Sequence, residues 1–226
     1  MKKTIFYAIF IFLSFTHISS SQVVEDPEIR KMISEIKAEN LEATIHKLVS
    51  FGTRHTLSDT KSKTKGIGAA QQWVKSEFDK FALESNGRLT SKIDYFEVKA
   101  DGKRIAKDSQ LGNVMATLKG TDPNDNRILI ISGHLDSRVS DVMNIKSDAP
   151  GANDDGSGVA AVIELSKVMS KRSFPATIIF VAVTGEEQGL YGARHLAELA
   201  KESNWNIVAM LNNDMIGNSL SSGTNL

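Results

Sequence analysis

Histidine and carboxylate side chains gather in four short stretches of this chain: His134 with Asp136, Asp154 with Asp155, Glu186 with Glu187, and Asp214. Imidazole nitrogen and carboxylate oxygen are the donors of a divalent-metal site, and carboxylates packed together either take up protons or bind a cation. The sequence has no cysteine, which excludes thiolate zinc fingers, disulfide scaffolds and cysteine nucleophiles, so any metal must be held by histidine and carboxylates. Each stretch has a plainer reading on its own. A lone histidine after a strand is usually a hydrogen-bonded structural residue. Asp154-Asp155-Gly156-Ser157-Gly158 could be a helix N-cap. Glu186-Glu187 could open a solvated helix, and Asn212-Asn213-Asp214 could be turn chemistry. What favours a shared site is where the four fall relative to the elements around them.

Arg127-Ile128-Leu129-Ile130-Ile131-Ser132 is a short continuous apolar run, as expected of a strand buried on both faces. Residues 176–184 form a second such run and 207–211 a third strand, with helical patterns at 158–169 and 192–201 between them. Strand, helix, strand, helix, strand implies right-handed crossovers and a three-layer α/β/α fold around a mostly parallel central sheet. Upstream, 27–49 reads as one or two amphipathic helices, 51–58 as a polar loop and 66–81 as a further helix. Residues 93–98 and 113–118 read as strands joined by a turn-rich segment. On this layout His134 and Asp136, Glu186 and Glu187, and Asp214 lie just past the carboxyl ends of strands, while Asp154 and Asp155 open a helix. That rim is where open α/β sheets place their ligands.

The 226 residues suit one α/β domain, and 41% hydrophobic with 24% charged residues is ordinary for a chain that buries a real core. Basic and acidic residues number 27 each, so no basic field points to a nucleic-acid partner. Residues 1–21 begin with Lys2-Lys3, continue as an apolar run from Ile5 to Leu13 and end in small residues, the pattern of a secretory signal peptide. The run is too short to span a bilayer comfortably, so the expectation is export to the periplasm or the extracellular medium, with no stable membrane anchor after cleavage.

Four blocks carry a family resemblance. Ser132-Gly133-His134-Leu135-Asp136-Ser137, Pro150-Gly151-Ala152-Asn153-Asp154-Asp155-Gly156-Ser157-Gly158, Gly185-Glu186-Glu187-Gln188-Gly189-Leu190-Tyr191-Gly192 and Asn213-Asp214-Met215-Ile216-Gly217 resemble, in order and spacing, the M28 family of zinc aminopeptidases. The resemblance covers 110–217 and implies a zinc-dependent exopeptidase-like domain over 22–226 that acts on peptide substrates. It implies that His134 and Asp214 bind one zinc ion and Glu187 a second, with Asp154 bridging the two. Asp136 would orient the His134 ring, Asp155 would support the turn through a cis peptide between the two aspartates, and Glu186 would be the general base toward a metal-activated water.

The chain departs from the family in one respect. The second zinc of the family normally takes another histidine, from a loop some tens of residues beyond Gly217, whereas here the sequence ends at Leu226 and no histidine follows His195. The first zinc site is therefore complete on paper and the second keeps only Asp154 and Glu187. The expectation is a domain whose C-terminal part is missing, with an apolar edge or face left at the last strand. Of the other histidines, His17 leaves with the signal peptide, His46 is expected at the margin of the core, His55 in a hydrogen-bonded loop and His195 on a helix face. The leading reading is a secreted zinc aminopeptidase. The alternatives are a carboxypeptidase- or cyclase-like relative on the same scaffold, and a truncated or degenerate copy that keeps the fold as a binding or structural remnant.

Overall fold

A computed structural model describes residues 26–218, 220–221 and 224–225; the expected signal peptide lies outside the described residues. The amino-terminal region forms two helices, α1 (Pro27–Glu35) and α2 (Ala38–Val49). Asp26 caps α1 by accepting the Glu28 amide at 2.8 Å, with Pro27 in the first turn, where its missing N–H costs nothing. The start of α2 is capped from far along the chain: Glu164 Oε1 accepts from the Lys37 amide at 3.1 Å and from Asn40 Nδ2 at 2.8 Å. His46 does not lie at the core margin. It faces solvent, 3.7 Å from Glu42, because two residues along a helix turn it to the side opposite the buried Leu48.

After α3 (Gly66–Leu83) come β1 (Leu89–Val98), β2 (Ser109–Leu118), β3 (Arg127–His134), α4 (Gly156–Met169), β4 (Thr177–Val183), α5 (Tyr191–Glu202) and β5 (Asn206–Asn212). Two-residue strands β6 (Leu220–Ser221) and β7 (Thr224–Asn225) pair with each other. The main sheet has the order β1-β2-β4-β3-β5. Strands β4, β3 and β5 are parallel, and β2 is antiparallel to both β4 and β1, so four of the five strands run one way and β2 alone opposes them.

Helices cover both faces. On one, Val74 and Phe78 of α3 and Val159 and Ile163 of α4 pack on Val114, Ala116, Ile131, Phe180 and Ala182. On the other, Leu196 of α5 packs on Met115, Ile130, Ile179, Val181 and Val183. Consecutive β4 residues thus enter opposite cores, which is why that strand is apolar without alternation. The edge strand β5 differs: Val208 and Leu211 are 50% and 59% exposed. This matches the apolar edge expected there.

Candidate metal centre

The centre is assembled at the carboxyl end of the parallel strands. His134 is the last residue of β3, 3% exposed, and its backbone amide donates to Asp155 Oδ2 at 2.8 Å. Its ring is aimed by the backbone carbonyl of Asp136, 3.0 Å from Nδ1, and this contact leaves Nε2 to face outward. Across from Nε2 stand Asp154 Oδ1 at 3.0 Å and Asp214 Oδ1 at 3.8 Å. One donor atom from each of these three residues lies within 4.8 Å of the others. A tetrahedral ion held at about 2.0–2.2 Å needs donors roughly 3.3 Å apart, so one imidazole and two carboxylates at these separations fit zinc. Burial alone would lower the pKa of His134, but Asp136, Asp155, Glu186 and Asp154 around it prevail and raise it.

Asp155 joins the three ligand-bearing segments. Its buried carboxylate caps α4 by accepting from the Gly158 amide at 2.9 Å, while also accepting from the amides of His134 and, at 3.3 Å, Met215. The Asp154–Asp155 peptide is cis, as the family resemblance implied. Burial holds the Asp155 carboxyl up to about 6 despite those three amides and the nearby His134. The turn carrying Asp214 is fastened to the start of α4 by two further bonds. Ile216 donates to Ser157 Oγ at 3.0 Å and Gly217 to Asn153 Oδ1 at 2.9 Å. Gly158 permits this contact, since a Cβ there would lie 2.3 Å from the Asn213 carbonyl oxygen.

The Asp136 carboxylate does not bond to the imidazole, from which it stands 3.8 Å away. Fully buried, it accepts from Thr56 Oγ1 at 2.6 Å and from the amides of Glu186 and Glu187 at 3.2 Å each. Its carbonyl thus orients the ring while its carboxylate holds the Glu186-Glu187 segment. Glu186 is half-buried; burial raises its carboxyl pKa, with Asp136, Glu187 and Asp214 adding to the rise and His134 opposing it. Glu187 stands outside the three-donor cluster, its Oε2 paired with Arg138 Nε at 2.6 Å. His195 lies on α5, bonded to Asp94 at 2.9 Å and stacked on Phe96, in keeping with a helix-face residue.

Sequence reasoning did not single out Thr56, Arg138, Arg54 or Gln188. Arg54 is 1% exposed and donates to four backbone carbonyls around the site. Gln188 is buried next to Glu187 and donates to Val142 and Arg104 carbonyls, where it meets His55. The available signal was position: Thr56 and Arg54 sit in the polar loop 51–58, Arg138 directly follows the first motif block, and Gln188 lies within the third.

Known proteins resemble this chain in sequence and in fold. The family model described as peptidase family M28 matches residues 113–222. A protein of Pyrenophora teres f. teres called a probable zinc metalloprotease is 50% identical over 194 residues, covering 86% of this chain and 40% of that protein. This chain therefore spans about 40% of the length of that relative. Among solved structures, the Legionella pneumophila LapA aminopeptidase superposes with a TM-score of 0.64 at 23% identity, over 95% of this chain and 52% of that one. The glutaminyl cyclase of Fimbriiglobus ruber superposes with a TM-score of 0.62 at 19% identity, over 79% of this chain and 61% of that one. These two likenesses show the shared fold, and the sequence matches give the family. Over residues 113–222 the chain belongs to peptidase family M28.

Proposed function

We propose that this chain forms the metal-binding core of a secreted zinc aminopeptidase that removes amino-terminal residues from peptides. The observation that carries the reading is the convergence of His134, Asp154 and Asp214 at one rim of the sheet, with Glu186 held next to them by Asp136. The first zinc would be held by those three residues. A second would be shared through Asp154 and taken up by Glu187, which must first leave Arg138. Bound zinc supplies Lewis acidity toward water and toward a peptide carbonyl.

The chain's own part is orientation and proton transfer. The Asp136 carbonyl fixes which nitrogen of His134 faces the metal. Glu186 takes a proton from the attacking water on its carboxylate and returns it to the leaving amine. Its raised pKa suits that task, because a base nearer neutrality also becomes a competent acid after taking the proton. Export rests on the character of residues 1–21. Among the described residues no helix is long and apolar enough to cross a membrane.

The test is Glu186→Gln. Zinc content should stay at the wild-type level while release of an amino-terminal leucine falls by roughly 10²–10⁴, the usual worth of a positioned base. Near-wild-type turnover would remove Glu186 from the mechanism. Cyclisation of an amino-terminal glutamine without hydrolysis of any peptide would overturn the aminopeptidase reading in favour of a cyclase.

A further inference from the structure

We propose that Arg54 is a positioning residue for the metal centre: its guanidinium clamps the turn after β3 to the turn before α4, and so sets His134 against Asp154. The inference rests on the zinc-site reading above. Arg54 lies on neither turn, and its contacts span both. Nε donates to the Leu135 carbonyl at 2.8 Å, between His134 and Asp136. Nη1 donates to the Pro150 carbonyl at 2.7 Å, and Nη2 to that of Gly151 at 2.9 Å, three residues before Asp154. A third end is fixed where Nη1 reaches the Leu48 carbonyl in the last turn of α2 at 3.2 Å, at the negative end of the helix, sharing that oxygen with the Phe51 amide at 3.3 Å.

The backbone of Arg54 repeats the tie. Its amide donates to Ser137 Oγ at 3.2 Å and its carbonyl accepts the Ser137 amide at 3.3 Å, while the Ser137 hydroxyl donates to the Ala149 carbonyl at 2.7 Å. The clamped turn is closed on itself by the Gly156 amide, which donates at 2.9 Å to the same Gly151 carbonyl that Nη2 holds. Gly151 has φ +48°, and a Cβ there would lie 2.5 Å from the Asp154 carbonyl and 2.9 Å from Nη2, so the clamp closes only on glycine.

Every hydrogen-bond partner of the guanidinium is a carbonyl oxygen. Its charge nevertheless feels Asp136, Asp155 and Asp154, whose pull opposes the burial that brings its pKa down to about 10. Arg54 thereby supplies positive charge to a carboxylate-rich site without occupying a carboxylate that a cation would need. A planar fork suits that task better than a compact ammonium, which cannot reach carbonyls on three segments at once.

Arg54→Lys keeps the charge and removes the fork. In the full chain, zinc affinity should fall tenfold or more, as for loss of other residues that orient metal ligands. In zinc-free protein, hydrogen exchange at the Gly156 amide should accelerate at least tenfold relative to Ile179 and Phe180 in β4. Wild-type zinc affinity together with unchanged Gly156 exchange would overturn the proposal. So would equal acceleration at Gly156 and in β4, because that marks a residue that only stabilises the fold. If wild-type protein binds no zinc, the zinc-site reading fails and the exchange measurement still decides the clamp. If Arg54→Lys does not fold, Ser137→Ala weakens the same tie more gently. It should accelerate Gly156 exchange severalfold over β4, and no selective change would refute the clamp.

Discussion

Replacing Gly158 with alanine sets two physical effects of opposite sign against each other. Gly158 is in the first turn of α4, and helix propensity alone favours alanine over glycine by about 1 kcal/mol. The structure opposes it. An added Cβ would sit 2.3 Å from the Asn213 carbonyl oxygen and 2.5 Å from both carboxylate oxygens of Asp155. One is backbone and the other is a buried side chain held by three amides, so neither can swing away. Restoring ordinary contact needs about 1 Å of separation between α4 and the 213–217 turn. Overpacking of this kind costs about 1–3 kcal/mol, sometimes more, and here the atoms displaced are polar and hydrogen-bonded. The clash should therefore exceed the propensity gain and leave a net loss of about 2 kcal/mol. For a chain of this size that corresponds to a melting temperature lower by roughly 4–8 °C. The same displacement carries Asp214 away from His134, and metal sites tolerate only about 0.2 Å of error in ligand distance, so zinc affinity should fall at least tenfold. Thermal unfolding of zinc-free protein and a zinc titration read the two effects separately. A variant that melts higher than wild type and binds zinc equally well would refute the packing argument.

Three further outcomes follow from the same structure. Zinc binding should release more protons at pH 6 than at pH 8, because the raised pKa of His134 keeps a proton on the imidazole that coordination must displace; calorimetry in buffers of different ionisation enthalpy measures this. In zinc-free protein the stability His134 contributes is fully present below its unfolded pKa of about 6.5 and is lost as pH rises through the raised folded value. Denaturant titrations should therefore show that loss in wild type but not in His134→Ala. Leu196→Ala opens a hole in the core beneath α5 and should cost about 2–5 kcal/mol, whereas Val208→Ser on the exposed β5 edge should stay within about 0.5 kcal/mol.

The parts of the fold that bury both faces were legible in the sequence. The apolar runs in β3 and β4 declare themselves because every residue enters one core or the other. Strand β1 was read as starting at Ile93, yet it begins at Leu89, since Thr90-Ser91-Lys92 look like loop residues until the pairing with Thr117, Ala116 and Met115 is seen. The polar start of β2, Ser109-Gln110, was hidden for the same reason at the other end of that hairpin. At the site, His134, Asp154 and Asp214 could be found from their places at strand ends and a helix start. What could not be read was who holds them. Arg54 acts on carbonyls of Leu135 and Gly151, and Thr56 on Asp136, all at least 80 residues away. Asp136 was expected to aim the His134 ring through its carboxylate, and the backbone carbonyl does so instead. A sequence names a residue's side chain, but its backbone oxygen becomes a partner only in the fold.

The central claim is that His134, Asp154 and Asp214 form a zinc centre that serves hydrolysis. Zinc bound per chain on the folded protein, measured in parallel with His134→Ala and followed by chelator-sensitive release of an amino-terminal leucine, tests it most directly. Wild type should hold at least one zinc tightly, His134→Ala should lose it, and hydrolysis should stop with chelator and return with zinc. Equal zinc content in wild type and His134→Ala, or hydrolysis indifferent to chelator, would contradict it.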